Sequence, residues 1–124
     1  MDVNNINVLV LAYLGDTVYE YYVRDFLIRK NISNVNDLQK ESLNYVSAKS
    51  QAKFLERLIE DNKLSDNEIT IIKRARNHKS NHCPKNCDIV TYKCATGLES
   101  LIGYLKITKN DERINEIMNY ILED

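Results

Sequence analysis

Three glycines and one proline among 124 residues constrain the fold of this chain more than any other feature. A meander, sandwich or barrel needs a turn residue every few strands, and Gly15, Gly97, Gly103 and Pro84 are the whole supply. That shortage argues against an all-β architecture and predicts an all-α one. With 44% hydrophobic residues the chain can fill one core, so residues 1–124 are expected to form a single domain. The apolar stretch 6–14 is too short to span a bilayer, and no basic residue precedes it as a signal peptide requires. We therefore expect no membrane association and a cytoplasmic protein. Cys83, Cys87 and Cys94 are an odd number at close spacing, which suits reduced thiols better than a secreted disulfide framework.

Apolar residues recur at three- and four-residue spacing from about residue 8 to 29, through Leu11, Leu14, Val18, Tyr22 and Phe26. This pattern predicts a long helix laid on a core. Asn34 or Asn36 suits the cap of a helix carrying Leu38, Leu43 and Tyr45. Ser47 suits the next cap, with Phe54, Leu55, Leu58 and Ile59 as the inner stripe. Ser65 and Glu68 make a capping box for a helix through Ile69, Ile72 and Ala75. The periodicity stops from 78 to 90, where Pro84 sits, and one long loop is expected there. Thr91 restarts a helix through Leu98, Leu101, Ile102 and Leu105, and Asp111 starts a last one through Ile114, Ile117, Met118 and Ile121.

All three glycines fall inside these predicted helices, where each costs about 1 kcal/mol relative to alanine. Gly15 precedes Asp16, and Gly97 and Gly103 bracket Glu99, so the bare backbone surrounds two acids set in apolar runs. Small neighbours of this kind predict that another object, a helix backbone or a phosphate, comes close. A carboxylate recessed in such a setting is costly unless it is paired or binds a metal. Asp16 and Glu99, from two helices, are therefore candidates to hold a hard divalent cation such as Mg²⁺, which is commonly bound by one or two carboxylates with water and phosphate oxygens. Such an ion suits phosphodiester hydrolysis. The plainer alternative is that Asp16 pairs with an Arg or caps a kink, and that Glu99 is merely exposed.

The formal charge of −1 conceals an uneven distribution. Between residues 72 and 94, Lys73, Arg74, Arg76, Lys79, Lys85 and Lys93 stand against Asp88 alone, giving +5, while the remainder carries −6. A basic block about a loop rich in Asn and Ser offers phosphate contacts that set affinity without reading sequence. Lys49, Lys53 and Arg57 add a second stripe, for which a solvated helix face is the favoured alternative. His78, His82, Cys83 and Cys87 are zinc-type ligands, but they are crowded into one segment rather than paired across a longer loop, so reduced thiols and loop histidines are favoured. Tyr13, Tyr19, Tyr21 and Tyr22 suit a core or a dimer seam better than base stacking.

These residues resemble a known family. LAYLGDTVYE (residues 11–20) is similar to the signature of the ribonuclease III catalytic domain, and TGLESLIGYL (96–105) to its second acidic helix. VSAKSQA (46–52), RARNHKS (74–80) and PKN (84–86), with Thr91 and Tyr92, resemble the short branch called Mini-III. The resemblance covers about residues 9 to 108. It implies an all-helical, compact endonuclease domain without a separate RNA-binding domain, acting as a homodimer on double-stranded RNA. It further implies Mg²⁺ at Asp16 and Glu99, no small-molecule cofactor, and a role in maturation of a 23S ribosomal RNA precursor. RNA contact would fall on the basic stretch, and we take Arg74, Arg76, Lys79 and Lys85 as its candidates. Longer members carry two further acids where this chain has Ala12 and Thr96, a reduction shared by the short branch. Glu20 is a candidate for an outer contact through water. Two other classes compete: a non-catalytic helical double-stranded-RNA-binding dimer with a degenerate metal site, and an all-α nucleotide pyrophosphohydrolase, which would need several acids on one segment.

Overall fold

The structure, a computed structural model, describes residues 1–78 and 88–123. Among these residues there are helices and no strands, in the order α1 (Val8–Arg29), α2 (Val35–Val46), α3 (Ala48–Glu60), α4 (Asp66–Arg76), α5 (Ile89–Ile107) and α6 (Asp111–Leu122), preceded by a short 3-10 turn at Val3–Asn5. The caps follow the side chains that can supply an oxygen. Asn34, not Asn36, caps α2 by accepting from the Asn36 and Asp37 N–H groups, and Ser47 caps α3 by accepting from Ser50 N–H. Ser65 and Glu68 form the reciprocal capping box of α4. One start differs from expectation: α5 opens two residues before Thr91. Asp88 is the cap, accepting from the Thr91 N–H at 2.9 Å and from its hydroxyl at 2.8 Å, which makes Thr91 the third helical residue.

The two longest helices, α1 and α5, pack against each other at the centre, with α3, α4 and α6 against α5 and α2 against α1. Leu11, Tyr19, Val23 and Leu27 of α1 meet Leu98, Leu101, Ile102 and Leu105 of α5 in one core, which Leu55, Leu58, Ile71, Ile72, Ile114, Ile117, Met118 and Ile121 complete. Ile59, expected inside, is 42% exposed because the stripe of α3 runs through Gln51, Leu55 and Leu58 instead. The acid of the α4 capping box has a second duty. Glu68, 5% exposed, takes a two-pronged hydrogen bond from Arg113 of α6 at 2.8 Å on each oxygen, and the same guanidinium donates to the Lys63 carbonyl.

The glycines explain how α1 and α5 come so close. A Cβ built on Gly15 would stand 1.7 Å from the Glu99 carbonyl oxygen, and one on Gly103 would stand 1.8 Å from the Leu11 carbonyl oxygen. Each glycine thus admits the backbone of the opposite helix, and Ser100 Oγ adds a buried hydrogen bond to the Val8 carbonyl at 3.0 Å. Of the objects that the bare backbone could admit, a helix is the one that occupies it. Gly97 is different, since its Cβ would meet the Ile72 side chain of α4 at 3.1 Å, a neighbour that can shift.

This contrast sets a stability order. Gly15→Ala and Gly103→Ala, which collide with backbone, should each cost about 3 kcal/mol or more in urea unfolding. Gly97→Ala should stay within about 1 kcal/mol of the parent, because the gain in helix propensity offsets the crowding. Equal effects at the three positions would show that the crossing is not held by backbone approach.

Candidate active site

The crossing of α1 and α5 places Asp16 and Glu99 together. Gly15, which receives the Glu99 carbonyl, is the residue before Asp16, so the two acids are carried by backbone segments in direct contact. Their surroundings are unequal. Asp16 is exposed, not recessed as its apolar neighbours suggested. Glu99 is half-buried, which removes the alternative that it is a solvated surface residue. The ionisation of Glu99 registers this setting. Burial first, then an Asp16 carboxyl in hydrogen-bonding range and the charges of Asp16 and Glu20, push its pKa from 4.5 up to about 8, with Gln51 drawing it partly back.

Three other neighbours shape the floor of the site. Tyr19 is fully buried and donates its hydroxyl proton to the Tyr45 carbonyl at 2.7 Å. Burial, with smaller contributions from Glu99 and Tyr45, holds its phenol far above the ordinary range, so it is a neutral donor. Glu20 is half-buried, and its carboxylate lies 3.6 Å from Arg24 one turn on. Gln51 was not foreseen. It is 2% exposed at the start of α3, acts on the Glu99 carboxyl, and its Nε2 has no hydrogen-bond partner. The signal was present in the sequence as a polar residue on the Leu55 and Leu58 stripe.

Among the described residues no three His, Cys, Asp or Glu side chains converge as an ion-holding group. The site is therefore a pair of carboxylates open on the Asp16 side, a donor set that suits an ion keeping several waters and a phosphate oxygen. Ala12 and Thr96 bound it as small buried residues, and the Thr96 hydroxyl is satisfied by the Tyr92 carbonyl at 3.0 Å. Of the basic candidates, Arg76 is exposed at the end of α4, whereas Arg74 is half-buried and spends one donor on the Ile6 carbonyl at 3.2 Å. Lys79 and Lys85 lie outside the described residues, as do His82, Cys83 and Cys87. Lys49, Lys53 and Arg57 are exposed, as a solvated face would be, and Arg57 also lies 5.6 Å from the centre of the Tyr120 ring.

A helical domain with an acidic pair at the crossing of its first long helix and its central one has known counterparts. Residues 9–110 match the family model described as the ribonuclease III domain, and the chain belongs to that family. It is 41% identical over 98% of its length to a Mini-ribonuclease 3 of Enterococcus faecalis, covering 92% of that protein. With the corresponding protein of Staphylococcus aureus it shares 44% identity over 94% of this chain and 87% of the relative. A crystal structure of a Fusobacterium nucleatum protein superposes with a TM-score of 0.89 at 31% identity, over 100% of this chain and 99% of that one. Within the family the chain belongs with the Mini-ribonuclease 3 proteins, and it is an endoribonuclease of double-stranded RNA. Enzymes of this family depend on a divalent metal.

The raised Glu99 pKa has a sign that can be checked. The folded protein binds this proton more tightly than the unfolded chain, so acid stabilises it and stability falls as pH rises from 4.5 to about 8. In a chelating buffer the melting temperature of the parent should decline across that interval, and Glu99→Gln should flatten the decline and melt higher at the alkaline end. An unchanged slope in the variant would place the titration elsewhere.

Proposed function

We propose that this endoribonuclease uses Asp16 and Glu99 as its catalytic and metal-holding residues, with Mg²⁺ as the ion. The observation that carries the proposal is the pairing itself: two carboxylates from different helices, the inner one half-buried with the Asp16 carboxyl in hydrogen-bonding range, and one side open. Two acids in that relation repel unless a proton or a cation lies between them; with a Glu99 pKa of about 8 a proton fills that place at neutral pH, and a small hard dication that displaces it would be held by both carboxylates at once. When bound, Mg²⁺ supplies an activated water and neutralises charge on the scissile phosphate. Asp16 presents its carboxylate to the solvent side, where a phosphate can approach, while Glu99 is held from behind by the α1–α5 crossing. Tyr19, neutral and buried, keeps the floor apolar and does not compete as an acid.

In this proposal Arg74, Arg76, Lys79 and Lys85 hold the backbone of the duplex, with Arg74 doing so through the donors left after its bond to Ile6. Phosphate and 2′-hydroxyl contacts, not base edges, then set recognition, as the deep groove of A-form RNA requires. The substrate we favour is a 23S ribosomal RNA precursor, and the working form is a homodimer in the cytoplasm. Val10, Tyr13 and Tyr21 on α1 are 57%, 82% and 67% exposed, an apolar seam beside Asp16 that a second copy would cover and that would set two sites along one valley. No helix among the described residues is long and apolar enough to cross a membrane.

Duplex RNA incubated with protein and Mg²⁺ should be cleaved, and Asp16→Asn or Glu99→Gln should each lower the rate by more than about 100-fold, beyond what a change behind the ligands produces. Absence of cleavage by the parent would favour the non-catalytic RNA-binding dimer, and unchanged cleavage by Asp16→Asn would overturn the site assignment. Binding of duplex RNA to Asp16→Asn should weaken steeply with salt, and a further Arg76→Ala should lower the slope by about 1 without altering sequence preference.

A further inference from the structure

Gln51 is the one polar side chain that the core of α3 has no reason to contain. It occupies the same stripe as Leu55 and Leu58, which are 2% and 0% exposed, and is itself 2% exposed. An apolar side chain of its size would fit that position at no polar cost, whereas a buried amide N–H without a partner is destabilising. The backbone leaves Gln51 little freedom. Ser47 caps the helix through Ser50 N–H, and Gln51 N–H bonds the Ser47 carbonyl at 2.9 Å. The side chain acts on the Glu99 carboxyl as a hydrogen-bond donor would, lowering its pKa, while Nε2 has no partner within full hydrogen-bond distance and Asp16 stands in hydrogen-bonding range of the same carboxyl. A carboxylate has acceptor positions for several partners, so one that binds an ion through one oxygen can still accept a donor on the other.

We propose that Gln51 is a positioning residue: its Nε2 donates to the outer oxygen of Glu99 and so orients the inner oxygen toward an ion shared with Asp16. The inference rests on the assignment of Asp16 and Glu99 as metal-holding residues. Gln51 touches neither the substrate nor the reacting atoms, and acts through Glu99 alone. A donor of this kind fixes the rotamer of a ligand before the ion arrives, and its loss typically lowers metal affinity or activity by about 10–100-fold.

The test compares thermal unfolding of the parent, Gln51→Leu and Asp16→Asn in a chelator and across a titration of Mg²⁺, with steady-state cleavage of duplex RNA alongside. Gln51→Leu should melt at or above the parent in chelator, because it removes an unpartnered amide, and a merely structural role for Gln51 predicts the reverse. Its half-maximal Mg²⁺ concentration for stabilisation should rise about 10–100-fold, and its kcat should fall over a similar range with KM for RNA within about twofold. Asp16→Asn should lose the Mg²⁺ response altogether. A folded Gln51→Leu with parental Mg²⁺ response and kcat overturns the inference while the metal site stands. A parent that does not respond to Mg²⁺ overturns both. Should leucine pack too poorly to fold, Gln51→Met keeps the unbranched stem without the donor, and parental values for it overturn the inference equally.

Discussion

The backbone contact between α1 and α5 is the interaction on which the rest of the molecule depends. Side chains elsewhere keep helices about 8–10 Å apart, but here Gly15 and Gly103 each receive a carbonyl of the opposite helix. The contact aligns the buried faces of the two longest helices and gives α3, α4 and α6 a common surface on α5. It also sets the geometry of the proposed site. Asp16 follows one glycine and Glu99 lends its own carbonyl to the other side of the contact, so the acids are brought together by main chain, which is far stiffer than the side chains that would otherwise position them.

An arrangement of this kind sets stability against function. Two carboxyls in one crossing disfavour the ionised state of the inner one, and the buried amide of Gln51 adds an unmet hydrogen bond beside them. The surrounding core carries the strain: Tyr19, Leu98, Leu101 and Ile102 are fully buried around the crossing, and the Glu68–Arg113 pair ties α4 to α6 at the far side. Conflicts between local chemistry and good packing tend to collect at working sites, and here they collect within one turn of Asp16 and Glu99.

Most of the fold was legible in the sequence because it is written in local signals. The extent of α1, the caps Ser47 and Ser65, and the buried faces of α5 and α6 follow from periodicity and from single oxygen-bearing residues. The start of α5 was placed late because Asp88 and Thr91 are both good caps, and only the geometry of their mutual hydrogen bonds decides between them. In the site, the pairing of Asp16 with Glu99 was signalled by the glycines that flank them. The exposure of Asp16 was not, since it depends on which face of α1 is left uncovered. Gln51 shows in the sequence only as a polar residue on the Leu55 and Leu58 stripe, and the missing partner that gives it importance is reported by no spacing rule. The Arg113–Glu68 pair joins positions with no periodic relation, so nothing local announced it.

The separation of the two acids along the chain bears on how the fold forms. Asp16 lies near the start of the chain, while Glu99 and Gly103 lie on the penultimate helix, so the crossing is a contact of high sequence separation. Bringing Gly15 against the Glu99 carbonyl closes most of the chain between them into one loop, so the loop-closure entropy is incurred before the crossing rewards it and the crossing belongs to the later events of folding.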